Sequence, residues 1–231
     1  PKDKELGNVF YCIGLTADYR YKPFETIEAH VSCLSHVLKN LKFSSLLYLS
    51  TTRLYQNSLT GKEEGDISVN SSCAEDIYNI SKLLGESLCR NLNNKNIKIA
   101  RLSNIFGPGM HHGNFLYEIS IQALRENKIC LRTSVNSSKD YLYVKDALPV
   151  LYKIATEGKE FSYNVASGEN TKTLDIINTI SQSHDLTIEV SDNAPTVTAS
   201  MVDIHKIQSE FSFCCETFEK SYRNFLKEIK F

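Results

Sequence analysis

The chain has 231 residues, 42% of them apolar, enough for one large domain or a domain with a small appendage. Lys plus Arg (26) and Asp plus Glu (27) nearly cancel, leaving a formal net charge of -1 and no electrostatic reason to expect nucleic acid or an anionic membrane as partner. Seven cysteines, at 12, 33, 73, 89, 130, 214 and 215, show no C-x-x-C or paired Cys/His spacing; they argue against a zinc site or a disulfide framework and for reduced thiols.

The opening PKDKELGN is charged and no apolar run approaches the length of a membrane span, so a cytoplasmic location without signal peptide or membrane segment is expected. VFYCIG (9–14) reads as a buried strand. In 24–41, Ile27, Val31, Leu34, Leu38 and Leu41 step by four and three, the stripe of an amphipathic helix. LLYLS (46–50) is the next strand. A polar loop with Gly61 and Gly65 follows, then Ser72 and Glu75 at capping-box spacing before a helix running to about Asn91. IKIARL (97–102) is a third strand, closed by the turn GPG (107–109). This β-α-β-α-β order predicts an α/β fold, a doubly wound parallel sheet with function at the carboxyl ends of its strands.

Beyond residue 110 the periodicity predicts a helix at 115–126, strands near 128–133 and 141–144, and a helix at 146–157. A strand at 163–167, a helix marked by Leu174, Ile177 and Ile180, a strand near 186–190 and a final helix with Phe218, Tyr222, Phe225 and Ile229 complete the chain. Two units are expected. Residues 1–110 form the carboxyl-terminal part of a dinucleotide-binding domain. Residues 111–231 form mainly a small α/β substrate lobe, with segments returning to the first unit.

The chemistry centres on DIYNISKLLGE (76–86), where Tyr78 precedes Lys82 by four residues on one helix face. A free tyrosine, with a pKa of ~10, is a poor base, and lowering it to ~7 requires about 4 kcal/mol of phenolate stabilisation. An ammonium about 4–5 Å away at an effective dielectric of about 20 supplies roughly 3–4 kcal/mol. A neighbouring hydroxyl donor adds to that. Taken alone, the pair reads more readily as an ordinary surface i,i+4 contact, since Y-x-x-x-K occurs by chance in many helices.

Its surroundings decide between the two. YLSTTRLYQ (48–56) places hydroxyls where a strand ends, with Thr51 four residues before Tyr55 and 27 before Tyr78. RLSNIFGPG (101–109), KDYLYVKDA (139–147), YNVASGENTKTLDII (163–177) and DIHKIQSEFSF (203–213) follow in order. Together these segments resemble the extended short-chain dehydrogenase/reductase family, specifically its sugar-nucleotide epimerase and dehydratase branch. The resemblance implies Tyr78 as acid/base, with Lys82 holding the nicotinamide ribose and depressing the tyrosine pKa. It implies Thr51 at the same substrate hydroxyl and Ile13, Gly14 and Leu15 along the dinucleotide. Asn104 and Lys139 would meet the substrate, a nucleotide sugar, and the cofactor would be NAD or NADP. It also implies a homodimer through helices near 24–41 and 74–91.

Three departures qualify what is expected. The family's G-x-x-G-x-x-G loop is not among these residues; the match begins at about its fourth strand, so a segment preceding Pro1 is expected, with a split or decayed protein as the alternative. Thr52 and Arg53 stand where the 4,6-dehydratases carry their elimination acid and base, which disfavours dehydration and leaves epimerase or ketoreductase chemistry. His30 replaces an Asn of the helix after the fourth strand, and Lys139 an Arg, which loses the bidentate fork for phosphate. Arg101, Arg132, Arg20 and Lys22 are further candidates for phosphate. The alternative function is a non-catalytic binding member of the family. No metal is expected, His111 and His112 included. Asp146 is expected to cap or anchor the helix it opens, and Tyr55 to line the site or only to pack.

Overall fold

A computed structural model describes residues 5–110 and 113–229, so His111 and His112 lie outside the described residues. Four parallel strands, β1 (Glu5–Tyr11), β2 (Lys42–Thr51), β3 (Ile97–Leu102) and β7 (Ser162–Val165), form the central sheet in the order β1-β2-β3-β7. Each connection between parallel strands crosses a face of the sheet and carries helix: α1 (Pro23–Ile27) and α2 (Cys33–Asn40) after β1, and α3 (Ile77–Asn91) after β2. The longer connection from β3 to β7 includes α4 (Phe115–Glu126) and α5 (Val144–Glu157). The protein is an α/β Rossmann-like fold.

Alternation along β2 shows why the sheet is covered on both sides. Leu46 and Tyr48 join Tyr11, Leu34, Cys89, Ile97 and Ile99 under α2 and α3. Leu47 turns to the opposite face, with Ala100, Val150, Leu151, Ile154 and Tyr163, against α5 and α7 (His205–Phe211). Leu46, Leu47 and Tyr48 are all 0% exposed, and each such side chain contributes roughly 1.5–3 kcal/mol of burial. A strand buried on both faces reads as an unbroken apolar run, and LLYL is one.

A second group of elements packs at the carboxyl end of the sheet. β4 (Asn104–Phe106), β6 (Ser138–Tyr143) and β8 (Asn170–Lys172) form one small sheet, and β5 (Lys128–Leu131) with β9 (Thr187–Val190) another. α4, α6 (Thr173–Ser181) and α8 (Phe218–Glu228) close over an aromatic core of Phe106, Tyr141, Tyr143, Tyr222 and Phe225. α4 has clear stop signals: the Asn114 side chain accepts the Leu116 amide at 3.1 Å, and Asn127 ends it in the left-handed region at φ 50°.

Several local expectations are corrected. The strand expected over 9–14 ends at Tyr11. The helix expected over 24–41 is interrupted by a π turn, Glu28–Ser32, which brings His30 inward to a fully buried position. The Ser72/Glu75 capping box does not form. A 3-10 turn, Ala74–Asp76, leads into α3 instead, and Glu75 faces Arg20 and Arg53. Of the two roles expected for Asp146, it anchors α5 and does not cap it: its carboxylate accepts the Glu216 amide at 3.3 Å and ties α5 to the segment before α8. β4, β8 and α7 are too short to leave a periodic signal. No helix among the described residues is long and apolar enough to cross a membrane.

Candidate active site

The site is built where β1 and β2 end beside the start of α3. At the end of β2 the chain turns through a 3-10 turn, Thr52–Tyr55, capped by Thr51, whose Oγ1 accepts the Arg53 amide at 3.1 Å. This turn brings Thr51 and Arg53 to Tyr78 in the first turn of α3. The Tyr78 ring lies 5.0 Å from the Tyr19 ring and meets His30 edge-on at 5.2 Å. The Arg53 guanidinium lies 5.8 Å from its centroid. Burial pushes the phenol above its ordinary pKa, while the Thr51 hydroxyl and the Arg53 charge favour the phenolate.

Lys82 is 6% exposed, and its Nζ donates to the Leu49 carbonyl at 2.9 Å, 5.1 Å from the Tyr48 ring centroid. Burial lowers its pKa to about 8, with Glu86 opposing that shift. The expectation that Lys82 is the cation depressing the tyrosine pKa is therefore amended. Arg53 is the cation that favours the phenolate here, because the lysine ammonium is turned onto the strand carbonyl.

Beneath the site lies a closed polar network. Arg101 (4% exposed) donates Nε and Nη2 to the two carboxylate oxygens of Glu86 at 2.9 and 2.6 Å. Its Nη1 donates to the Tyr55 hydroxyl at 2.8 Å, which donates in turn to Asn164 Oδ1 at 2.7 Å. Ser50 donates to Glu86 Oε1 at 2.6 Å, and Glu63 Oε1 accepts the Asn164 amide at 2.8 Å. Arg101 is thus committed to Glu86 and is withdrawn as a phosphate ligand, and Tyr55 belongs to this floor. Sequence reasoning missed the floor, although Tyr78, Lys82 and Glu86 follow at i,i+4 spacing along one stripe of α3.

The remaining candidates fall in two places. Ile13 and Gly14 are exposed just beyond β1, and the Leu15 amide donates to His30 Nε2 at 3.3 Å. A Cβ on Gly14 would lie a tight 3.2 Å from that nitrogen and in ordinary contact, at 3.4 Å, with Lys82 Nζ, so this backbone runs directly beside both side chains. Asn104 is exposed at the start of β4, with its amide donating to the Asp140 carbonyl at 2.7 Å. Lys139 stands 5.7 Å from the Phe115 ring centroid. Its ammonium is destabilised by burial, then by Arg53 and Arg20, so it belongs with the cations around Tyr78. Arg20 lies 4.8 Å from the Tyr19 ring centroid, whereas Lys22 pairs with Asp18 at 3.1 Å. Arg132 is exposed beyond β5. A groove of about 590 Å³ lined by Tyr19, Arg20, Ser71, Glu75, Ile77 and Ile80, among others, runs outside this cluster. Among the described residues no group of three His, Cys, Asp or Glu could hold a metal.

A parallel sheet with a hydroxyl at the end of β2, facing a tyrosine and a buried lysine on α3, is the arrangement of the extended short-chain dehydrogenase/reductase class. The chain belongs to the NAD dependent epimerase/dehydratase family, whose model matches residues 2–166. Its structure is similar to that of an NAD-dependent NDP-hexosamine 5,6-dehydratase, TunA, involved in tunicamycin biosynthesis (18% identity, 98% of this chain and 77% of that chain, TM-score 0.84). It is also similar to RMD from Pseudomonas aeruginosa complexed with NADPH (22% identity, 95% of this chain and 80% of that chain, TM-score 0.79). A third similar structure is a UDP-glucuronic acid 4-epimerase from Bacillus cereus in complex with UDP-glucuronic acid and NAD (16% identity, 93% of this chain and 71% of that chain, TM-score 0.79). At these identities the likeness establishes the fold. Among curated proteins none matches the chain.

The family's cofactor is NAD, and the residues present fit its nicotinamide end. A buried lysine with a lowered pKa adjoins a glycine backbone that no side chain separates from it. For the diphosphate end, these 231 residues hold no G-x-x-G-x-x-G loop.

Proposed function

We propose that the protein is an NAD(P)-dependent epimerase or ketoreductase acting on a hydroxyl of a nucleotide sugar, with Tyr78 as acid/base. The observation that carries this reading is the convergence of Thr51 and Arg53 on the Tyr78 phenol. Tyr78 takes the proton of the substrate hydroxyl as the carbon is oxidised and returns it on reduction. Thr51 holds the same hydroxyl and stabilises the phenolate form that takes the proton. Lys82, Ile13, Gly14 and Leu15 hold the nicotinamide riboside end. The nicotinamide supplies the hydride acceptor and donor.

Dehydration is disfavoured by the residues beside Tyr78. Thr52 and Arg53 occupy the 3-10 turn after Thr51, and neither provides a carboxylate for elimination. Asn104 and Lys139 are assigned to the substrate. A homodimer through the helices of 24–41 (α1 and α2) and α3 belongs to the same reading, supported by the exposure of Phe24, Ile27 and Leu84 there; a monomeric sedimentation profile at working concentration would overturn it.

The test is Tyr78→Phe, with NADH and NADPH binding followed by nicotinamide fluorescence and turnover by product analysis. Nearly unchanged cofactor binding with turnover abolished is expected, and full activity in the variant would sink the assignment. If neither dinucleotide binds the native chain below millimolar concentration, the non-catalytic binding reading takes its place.

A further inference from the structure

Two arginines beside the candidate acid/base share one carboxylate, and a third cation, Lys139, lies within reach of their charge. Arg20 Nε and Arg53 Nη2 each lie 3.5 Å from an oxygen of Glu75, on opposite sides of the carboxylate. The two guanidinium groups also share the Tyr19 ring, at 4.8 and 5.2 Å from its centroid. Contacts this long to a half-exposed Glu75 are weak. Arg53 Nε is buried and has no hydrogen-bond partner among the described residues. Lys139, the third cation, has no ion pair among them either, and feels both arginines. By contrast Arg101, buried beneath the site, is fully paired with Glu86. Here two arginines share one loosely held carboxylate, and one of them, Arg53, stands against the Tyr78 ring.

We propose that Arg20, Arg53 and Lys139 form a receptor for an oxyanion of the substrate, and that the contact of Arg53 with the Tyr78 ring assigns it to an acidic group carried on the sugar itself. This rests on the reading of Tyr78 as the residue that meets the reacting hydroxyl. A group against that phenol reaches substituents on the ring carbons next to the reacting one. A carboxylate there would meet the planar fork of Arg53, which suits two oxygens at once. The unpartnered Nε and the loosely held Glu75 leave that fork free to turn to a ligand. The substrate class is then a nucleotide-linked acidic sugar such as a hexuronate.

The test is isothermal titration of the full chain with UDP-glucuronate, UDP-glucose and UDP. Hydrogen bonds to charged groups contribute about 1.5–3 kcal/mol, so the native chain should prefer UDP-glucuronate over UDP-glucose by roughly 10- to 100-fold. Arg53→Gln should reduce that ratio to near one. Arg53→Lys should fall between. Glu75→Gln, which frees the arginines, should raise the ratio. Equal weakening of all three ligands by Arg53→Gln would place the receptor at the diphosphate and overturn the assignment to the sugar. An unchanged ratio in both Arg53→Gln and Glu75→Gln would overturn the receptor altogether. If neither UDP nor UDP-glucose binds, it is the nucleotide-sugar reading that fails. The receptor is then judged with glucuronate against glucose, and absence of any Arg53-dependent preference overturns it.

Discussion

The imidazole of His30 and the hydroxyl of Ser81 are hydrogen-bonded at 2.8 Å, fully buried between the π turn and α3. Since the Leu15 amide donates to Nε2, the proton must sit on Nδ1 and be donated to Ser81, which donates in turn to the Tyr78 carbonyl at 2.9 Å. One neutral tautomer thus links the segment assigned to the cofactor with the backbone of the assigned acid/base.

This link makes the fold acid-labile in a defined window. Burial, with Lys82 nearby, holds the His30 pKa down from 6.5 to about 3. A depressed folded-state value means the unfolded chain binds the proton first, so the contribution of His30 is intact above pH 6.5. It is lost progressively as pH falls toward about 3, at up to about 1.4 kcal/mol per pH unit. Urea unfolding at pH 7, 5.5 and 4.5 should show that slope in the native chain and a shallower one in His30→Asn.

Lys82 should make cofactor binding sensitive to alkali. Its pKa of about 8 means the ammonium is present at pH 7 and largely lost at pH 9.5. NADH affinity should therefore weaken several-fold across that interval. Lys82→Met should bind weakly at both pH values, and a native profile that stays flat would exclude a charged Lys82 from the cofactor site.

The Arg101–Glu86 pair predicts strong non-additivity. Removing one partner leaves a buried charge uncompensated, so Arg101→Met or Glu86→Gln alone should cost about 3–5 kcal/mol. The double variant should recover much of that loss. Chemical denaturation of the two single variants and the double variant checks it.

Gly85 is held by its neighbours. A Cβ there would lie 2.7 Å from Tyr48 Cζ and 3.0 Å from the His30 carbonyl, both in the closed core under α3. Gly85→Ala should destabilise by about 1–3 kcal/mol despite the better helix propensity of alanine. Tyr48→Phe in the same chain should return part of that loss in thermal unfolding.

The architecture was legible where periodicity runs long. LLYLS and IKIARL are strands because both faces are covered, and 115–126 is a helix with asparagine at each end. The lysine assigned to the cofactor sits four residues after Tyr78, as a helix must place it. The direction of its ammonium was not legible, since a side chain with four rotatable bonds can face the tyrosine or the strand carbonyl. Arg53 was legible only as a residue standing where a carboxylate might have been. Its approach to Tyr78 depends on a four-residue 3-10 turn that leaves no periodic trace. The same holds for the π turn, one extra residue in an otherwise regular stripe, which turns His30 inward.

The imbalance of charge around Tyr78 also bears on how fast a ligand arrives. The chain is nearly neutral overall, at -1, and the floor of Arg101 and Glu86 cancels itself, so the local field near the site reflects Arg20, Arg53 and Lys139 against the single Glu75. A field of this kind acts over about one Debye length, roughly 8–10 Å at physiological salt. An anionic ligand is then captured and oriented only in its last steps of approach, with its charged end leading. Added salt should slow that capture while leaving the departure of bound ligand comparatively unchanged.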